Sequence, residues 1–299
     1  MTAGKPILVL GGGIAGMTAA IEAAEAGCEV VLVEKAPYLG GRVARTHLYF
    51  PKLCPPACGL EVNFKRIRNN PRIKVLTQAE LVDISGPAGD NAATVRIAPR
   101  YVTSACTMCG ACADVCPAQR PDEFNYGLSK TKAAYLPYAM AFPDTYVIDR
   151  PSCKEACAAC ADACKYGAVD LSQTERRETF QVAAVVAATG WAPYDAARID
   201  GLGYGKFKNV ITNAIMERLA APNGPTGGKI VRPSDGKAPR EVVFVQCAGS
   251  RDENHLPYCS TVCCAASLKQ AAYVRAQHPG SKVAIFYIDV RTSGRREDF

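Results

Sequence analysis

No stretch of this sequence stays apolar for long. The longest strongly apolar run is Val182–Thr189, whereas a helix needs about 20 residues to cross a bilayer, so any contact with a membrane has to come through a partner. A basic stripe with interleaved aromatics is lacking too. The net charge is a modest +7, clustered only at 65–68, 175–178 and 291–296, which argues against nucleic acid as a partner. A solvated surface accounts for such scattered charge, although docking to an acidic redox protein also fits it. No secretory leader opens the chain, and the fifteen cysteines are odd in number and bunched in CxxC spacings. Both features disfavour a disulfide framework and point to metal-binding thiols in a reducing cytoplasm. At 299 residues there is mass for about two domains with a buried core.

What is present is a pair of cysteine runs. Cys106, Cys109, Cys112 and Cys116, followed by Pro117, have the spacing CxxCxxCxxxCP. This is the bacterial ferredoxin pattern, in which three close thiolates hold one cubane and the fourth crosses to the other. Inert buried cysteines have no reason to keep that spacing. Cys153, Cys157, Cys160 and Cys164 repeat it as CxxxCxxCxxxC, with one residue inserted and Lys165 in place of the proline. The proline ends a turn, and the thiolates do the binding. If the two-cluster fold applies, Cys106, Cys109, Cys112 and Cys164 hold one 4Fe-4S cluster, and Cys153, Cys157, Cys160 and Cys116 the other.

The beginning of the chain reads as a nucleotide-binding βαβ unit. Pro6–Leu10 is a buried strand, and Gly11, Gly13 and Gly16 fit GxGxxG. Helical patterning runs from Ile14 to Ala26, and a second strand covers Glu29–Glu34. Glycines allow the tight turn and the close backbone approach, and the helix start at Ile14 and Ala15 faces the pyrophosphate. Glu34, 21 residues beyond Gly13 and followed by Lys35, is placed to accept the ribose hydroxyls. Gly40-Gly41-Arg42 resembles the second FAD contact of large flavoproteins, against the plainer reading of a surface turn with a solvated arginine. Ala183–Gly190 reads as a buried strand ending in Thr189-Gly190, and resembles the ATG element that closes the same fold after an insertion.

A third set of cysteines follows a strand at Glu241–Gln246. Cys247 precedes Ala248-Gly249-Ser250-Arg251, and Cys259, Cys263 and Cys264 complete four thiols within 18 residues. Packing does not need so many. His255 lies in the same loop and is assigned no role. This pattern, Cys247 with AGSR and then PYCSTVCC, resembles the flavin-proximal cluster motif of the heterodisulfide reductase A subunits. The resemblance implies that Cys247, Cys259, Cys263 and Cys264 bind a further 4Fe-4S cluster.

Tyr38–Val43, Phe50–Pro56, Cys58–Glu61, Phe124–Gly127 and the stretch KTKAAYLPYAMAFP ending at Pro143 resemble a narrower branch, the flavin-bearing A subunits of the quinone-interacting membrane-bound oxidoreductase complex. That branch implies FAD, 4Fe-4S clusters and partner subunits. One of these would be membrane-anchored and quinone-reactive, another a soluble sulfur-pathway enzyme such as adenylylsulfate reductase. It places the chain in the cytoplasm, peripheral to the inner face of the membrane through those partners. The family continues past the pyridine-nucleotide-like domain, so a chain ending at Phe299 is expected to be a shortened form. Cys54 and Cys58 stand a dozen residues beyond the GG element, too far to match the redox pair of disulfide reductases. They are left as extra ligands, cysteines facing the flavin, or structural residues.

These readings predict an α/β protein: a FAD-binding Rossmann-like domain of the disulfide-reductase type, an inserted two-cluster ferredoxin-like α+β domain, and a partial pyridine-nucleotide-like domain. The expected boundaries are 1–99 and 173–236 for the FAD domain, 100–172 for the insertion and 237–299 for the last part. The function expected is that of an electron-transfer subunit. Two rivals are a self-contained NAD(P)H-dependent flavin reductase and a non-catalytic iron–sulfur scaffold. The first would need a second GxGxxG after Gln246, where Cys247-Ala248-Gly249-Ser250 stands instead, and the FAD elements argue against the second.

Overall fold

The computed structural model describes residues 4–299, without the side chain of Glu297. The chain divides into two compact units. One comprises the chain up to Ala44 together with Ala57–Trp191, and the other Arg45–Pro56 with Ala192–Phe299.

The first unit opens with β1 (Ile7–Leu10), α1 (Ile14–Glu25) and β2 (Val30–Glu34), then α2 (Ala57–Arg68) and β3 (Ile73–Thr77). β1, β2 and β3 pair in parallel. Such a sheet must be covered on both faces, which is why its strands are continuous apolar runs. Val9 and Leu32 face Met17, Ala20 and Ile21 of α1 and Leu60 and Phe64 of α2, all buried. Leu8, Val31 and Val33 face the opposite way, onto β4 (Ala79–Ser85) and β5 (Asn91–Ile97), with Ala93, Val95 and Ile97 buried between.

The cysteine-rich segment leaves from the end of β5. It contains α3 (Ala111–Asp114), the two-stranded ladders β6 (Gln119–Pro121) with β7 (Lys130–Lys132) and β8 (Ala134–Tyr135) with β9 (Val147–Ile148), and α4 (Ala159–Asp162). The chain returns in β10 (Arg176–Val182), which pairs antiparallel with β5, Ile97 opposite Arg176 and Asn91 opposite Val182. The segment is therefore spliced into the turn of a hairpin. β11 (Ala184–Ala187) then joins β1 in parallel, giving the order β11-β1-β2-β3. β11 is an edge strand, with Ala184 and Ala187 exposed and Val185 and Val186 half-buried, so the apolar run at 183–188 is not the buried strand expected of it.

The inserted segment is packed into the nucleotide-binding half. Tyr38, Phe124 and Tyr138 form an aromatic cluster with centroids 4.8 to 5.7 Å apart, and Tyr138 Oη donates to the Leu39 carbonyl at 3.1 Å. Leu39 N–H donates in turn to the Phe142 carbonyl at 2.8 Å. The inserted segment and the strands on either side of it lie in the same compact unit.

In the second unit α5 (Asn213–Ala220) is N-capped by Thr212, whose hydroxyl accepts from Ile215 N at 3.3 Å. It packs with α6 (Cys263–Gln277), which connects the parallel strands β12 (Glu241–Val245) and β13 (Lys282–Phe286). Residues 45–56 belong here and not with the FAD sequence on either side. The reason is a buried ion pair, Glu217 with Lys269 at 3.0 Å, side chains 10% and 8% exposed. A buried pair persists when its remaining hydrogen-bonding capacity is filled. Here Lys269 Nζ donates to the Leu48 carbonyl at 2.6 Å, and Glu217 accepts from His47 N at 2.9 Å and Gln270 Nε2 at 2.6 Å. Beyond residues 45–56 this unit runs without a break from Ala192 to Phe299. Val242, Phe244 and Val283 face the core, while Val243, Val245 and Phe286 on the other face are 54%, 49% and 64% exposed.

Candidate functional site

The glycine loop is held against the neighbouring strand ends at contacts that admit no side chain. A Cβ on Gly11, at φ +105°, would lie 2.3 Å from the Ala188 carbonyl oxygen, and one on Gly16 would lie 1.7 Å from the Gly11 carbonyl oxygen. Ala188 belongs to the Ala-Thr-Gly element, so Thr189 and Gly190 arrive at the same loop. Gly13 differs. A Cβ there would meet nothing within 4 Å, so this glycine faces open space beside the start of α1, where Ile14 and Ala15 are exposed. The first intrahelical bond is Met17 N–H to the Gly13 carbonyl, 2.9 Å. The N–H groups of Ile14, Ala15 and Gly16 therefore precede the helical ladder, the ordinary state of a helix start and one that suits an anion. The cradle fits a pyrophosphate.

Glu34 ends β2 with both carboxylate oxygens engaged: Oε2 accepts from Gly12 N and Oε1 from Ala36 N, each at 2.6 Å. Two N–H bonds leave lone pairs free for hydroxyl donors, so the carboxylate shapes the loop and is still able to receive a ribose. Lys35 turns away, pairing with Glu80 at 2.8 Å while 82% exposed, and nothing in that geometry directs it to a nucleotide. Glu34→Ala is expected to weaken FAD binding about tenfold, the loss of one or two hydrogen bonds, with iron content unchanged. Titration of the apoprotein with FAD measures this.

The GG element lies on the glycine loop. Gly40 N–H donates to the Gly12 carbonyl at 2.8 Å, and a Cβ on Gly41 would come within 3.0 Å of Gly13 Cα. Arg42 Nε–H donates to the Trp191 carbonyl at 2.9 Å, with the guanidinium 4.5 Å from the indole centroid. The arginine is thus docked on the residue that follows Thr189-Gly190. Trp191 carries no motif in the sequence; a sole tryptophan next to the ATG element was the available signal.

Four of the eight ferredoxin-type thiols share one cavity. Cys116, Cys153, Cys157 and Cys160 line it, together with Pro117, Ala118, Ala134, Ile148 and Lys154. The crossing of Cys116 into the second set is the pairing expected of a two-cluster fold. Around the other set, Cys106 acts electrostatically on Cys112, and burial pushes the Cys112 thiol up to about 11. Burial also raises Cys153 and Cys160 above the usual thiol range. Thiols so buried are poor anions alone and ionise once a metal neutralises them, so the donor set fits iron–sulfur clusters. Cys164 Sγ accepts the Ala168 N–H at 3.3 Å. The residue inserted in the second motif lies between Cys153 and Cys157, where Ala156 at φ +52° is the counterpart of Met108 at +55°.

In the second unit, Cys247 follows β12 at φ +56°, and Cys263 and Cys264 open α6. Burial raises the Cys264 thiol, and Cys263 and Cys247 act on it electrostatically, while Cys259 acts in the same way on Arg291. Asp289 pairs with Arg251 at 2.6 Å and with Arg291 at 3.1 Å, tying the loop after Cys247 to the segment after β13. His255, left unassigned in the sequence, shares a hydrogen bond with Tyr194 Oη and an edge-on ring contact at 5.5 Å. Cys54 and Cys58 are both exposed.

The FAD dependent oxidoreductase family profile matches residues 6–53, and the 4Fe-4S binding domain profile residues 99–119. The iron–sulfur A subunit of CoB–CoM heterodisulfide reductase from Methanocaldococcus jannaschii is 41% identical over 296 residues, covering 97% of this chain and 44% of that protein. A second such polypeptide, from Methanopyrus kandleri, is 42% identical over 292 residues, with 96% and 44% covered. This chain belongs to the family of heterodisulfide reductase A subunits. It spans less than half the length of those relatives. Among solved structures, L-proline dehydrogenase from P. horikoshii is similar at a TM-score of 0.39 with 11% identity, covering 94% of this chain and 35% of that one. FAD and 4Fe-4S clusters are the cofactors of the matched sequence, as expected for an oxidoreductase of this family. No helix among the described residues is long and apolar enough to cross a membrane.

Proposed function

We propose that this chain is the flavin and iron–sulfur part of an electron-transfer subunit in a larger redox complex. The observation that carries the reading is the convergence of Cys116, Cys153, Cys157 and Cys160 on one cavity within the compact unit that also holds the glycine loop. When bound, FAD exchanges electrons in pairs and 4Fe-4S clusters pass them singly. The residues assigned to FAD are Gly11, Gly13, Ile14, Ala15, Gly16, Glu34, Gly40, Gly41, Arg42, Thr189 and Gly190. Lys35, with its ammonium on Glu80, is left out of that set. One cluster is assigned to Cys106, Cys109, Cys112 and Cys164, a second to Cys116, Cys153, Cys157 and Cys160, and a third to Cys247, Cys259, Cys263 and Cys264.

The partners we infer are the other polypeptides of such a complex, one of them membrane-anchored and quinone-reactive, linking a quinone pool to a soluble sulfur-pathway enzyme such as adenylylsulfate reductase. The support is the narrower resemblance of Tyr38–Val43, Phe50–Pro56 and the stretch ending at Pro143, part of which bears on the FAD loop through Tyr138 and Phe142. Cytoplasmic placement at the membrane's inner face follows from the same reading. An electron carrier of this kind takes its electrons from partner proteins, and the flavin of the purified chain is expected to stay oxidised on rapid mixing with NADH or NADPH. Stopped-flow absorbance measures this, and rapid bleaching would mark a self-contained reductase.

A further inference from the structure

The two ferredoxin-type motifs build the same local structure twice. α3 and α4 share the sequence Ala-Cys-Ala-Asp. Ala113 and Ala161 donate to Gly110 and Ala158 alike, both at 2.8 Å, and Cys116 and Cys164 to Ala113 and Ala161, both at 3.1 Å. The helix and turn that carry the last two cysteines of each motif are thus alike, although Gly110 at φ +85° precedes one and Ala158 at φ −125° the other.

Their surroundings differ in charge. Lys132 Nζ donates to the Cys116 carbonyl and Arg150 Nη1 to the Cys157 carbonyl, each at 2.7 Å. The Arg150 charge also acts on the Cys153 thiol, and Lys154 lines the same cavity. At the counterpart of Cys116, the Cys164 carbonyl accepts instead the neutral Gly167 N–H at 3.1 Å. Asp114 closes α3 two residues after Cys112, and the Tyr146 phenol stands by Gly110 at the start of the same helix. Arg100 is the cation near Cys106, and its guanidinium is spread over the carbonyls of Pro37, Thr145 and Tyr146.

A 4Fe-4S cluster held by four thiolates is already anionic, and adding one electron makes it more so. Cations at its ligands therefore favour the reduced form. We infer that Lys132 and Arg150 raise the reduction potential of the cluster assigned to Cys116, Cys153, Cys157 and Cys160 above that of the cluster assigned to Cys106, Cys109, Cys112 and Cys164. Electrons entering the segment then settle on the former. This inference rests on the proposed ligand sets.

The test is a dithionite titration of the anaerobically purified chain, followed by electron paramagnetic resonance. Lys132→Gln and Arg150→Gln should each move one reduction step to lower potential, by about three- to tenfold in its equilibrium, tenfold being about 59 mV for one electron. The step that moves is the higher-potential of the two ferredoxin-type steps, and the one that Cys157→Ala abolishes; the remaining steps stay in place. Lys132→Arg and Arg150→Lys, which keep the charge, should titrate near the unaltered chain. If Arg150→Gln sheds iron, Lys132→Gln carries the test, because its contact is a carbonyl and not a thiol. Unmoved steps in the glutamine variants that load, or equal shifts in the charge-retaining ones, would overturn the inference. An unaltered chain with fewer than about eight irons would sink the ligand assignment beneath it.

Discussion

Cys157→Ala should remove about four irons from the chain and leave FAD in place. Cys116→Ala should abolish the same cluster, although the two cysteines come from different motifs, because both line one cavity with Cys153 and Cys160. Cys112→Ala and Cys164→Ala should abolish the other. The reason for so large an effect is that losing one of four thiolates leaves an iron without its protein ligand and destabilises the whole cubane. The variants at Cys112, Cys116 and Cys160 also delete side chains from a small core of Val102, Ala133, Ala134 and Ile148. Iron and sulfide analysis, with spectra of the reduced protein, separates the two clusters. Variants of Cys116 and Cys157 that abolish different signals would refute the crossed pairing.

Gly13→Ala should abolish or severely weaken FAD binding, by about a hundredfold, while the protein melts as before. Gly13 has φ −74° and ψ −176°, a conformation alanine adopts readily, and its Cβ would meet no protein atom within 4 Å. The space it would fill is therefore available in the fold and needed by the pyrophosphate. Gly16→Ala is the contrast. Its Cβ would collide with the Gly11 carbonyl, so it should lose both flavin and about 1–3 kcal/mol of stability, the usual cost of overpacking. Thermal melts of the apoprotein with FAD titrations decide between the two. Full-strength FAD binding by the Gly13 variant would move the cofactor away from the loop.

Much of this was legible in the residues because it is local. Strand, glycine turn, helix, strand and acid occur in sequence order from Ile7 to Glu34, and cysteine spacing encodes a turn geometry that a ligand set requires. What escaped is non-local. The segment 45–56 sits between two parts of the FAD sequence, and nothing in its own composition shows that Leu48 and His47 satisfy a buried Glu217–Lys269 pair far along the chain. β11 reads as a buried strand from its apolar run, but a strand's burial depends on how many neighbours the sheet gives it, and here it has β1 alone. Lys35 sits where a nucleotide contact was expected, yet the Glu80 carboxylate across the turn takes its charge. Arg150 carried no motif, and Lys132 stood in the stretch ending at Pro143 with no role of its own. Their meaning comes from the carbonyls they reach.

The central claim is that one chain holds a flavin and two ferredoxin-type clusters in the same compact unit, with a further cluster in the other. Iron, acid-labile sulfide and flavin measured per chain after anaerobic purification and reconstitution test it most directly. The account predicts one FAD and about twelve irons with matching sulfide. Fewer than about eight irons, or clusters without flavin, would contradict it.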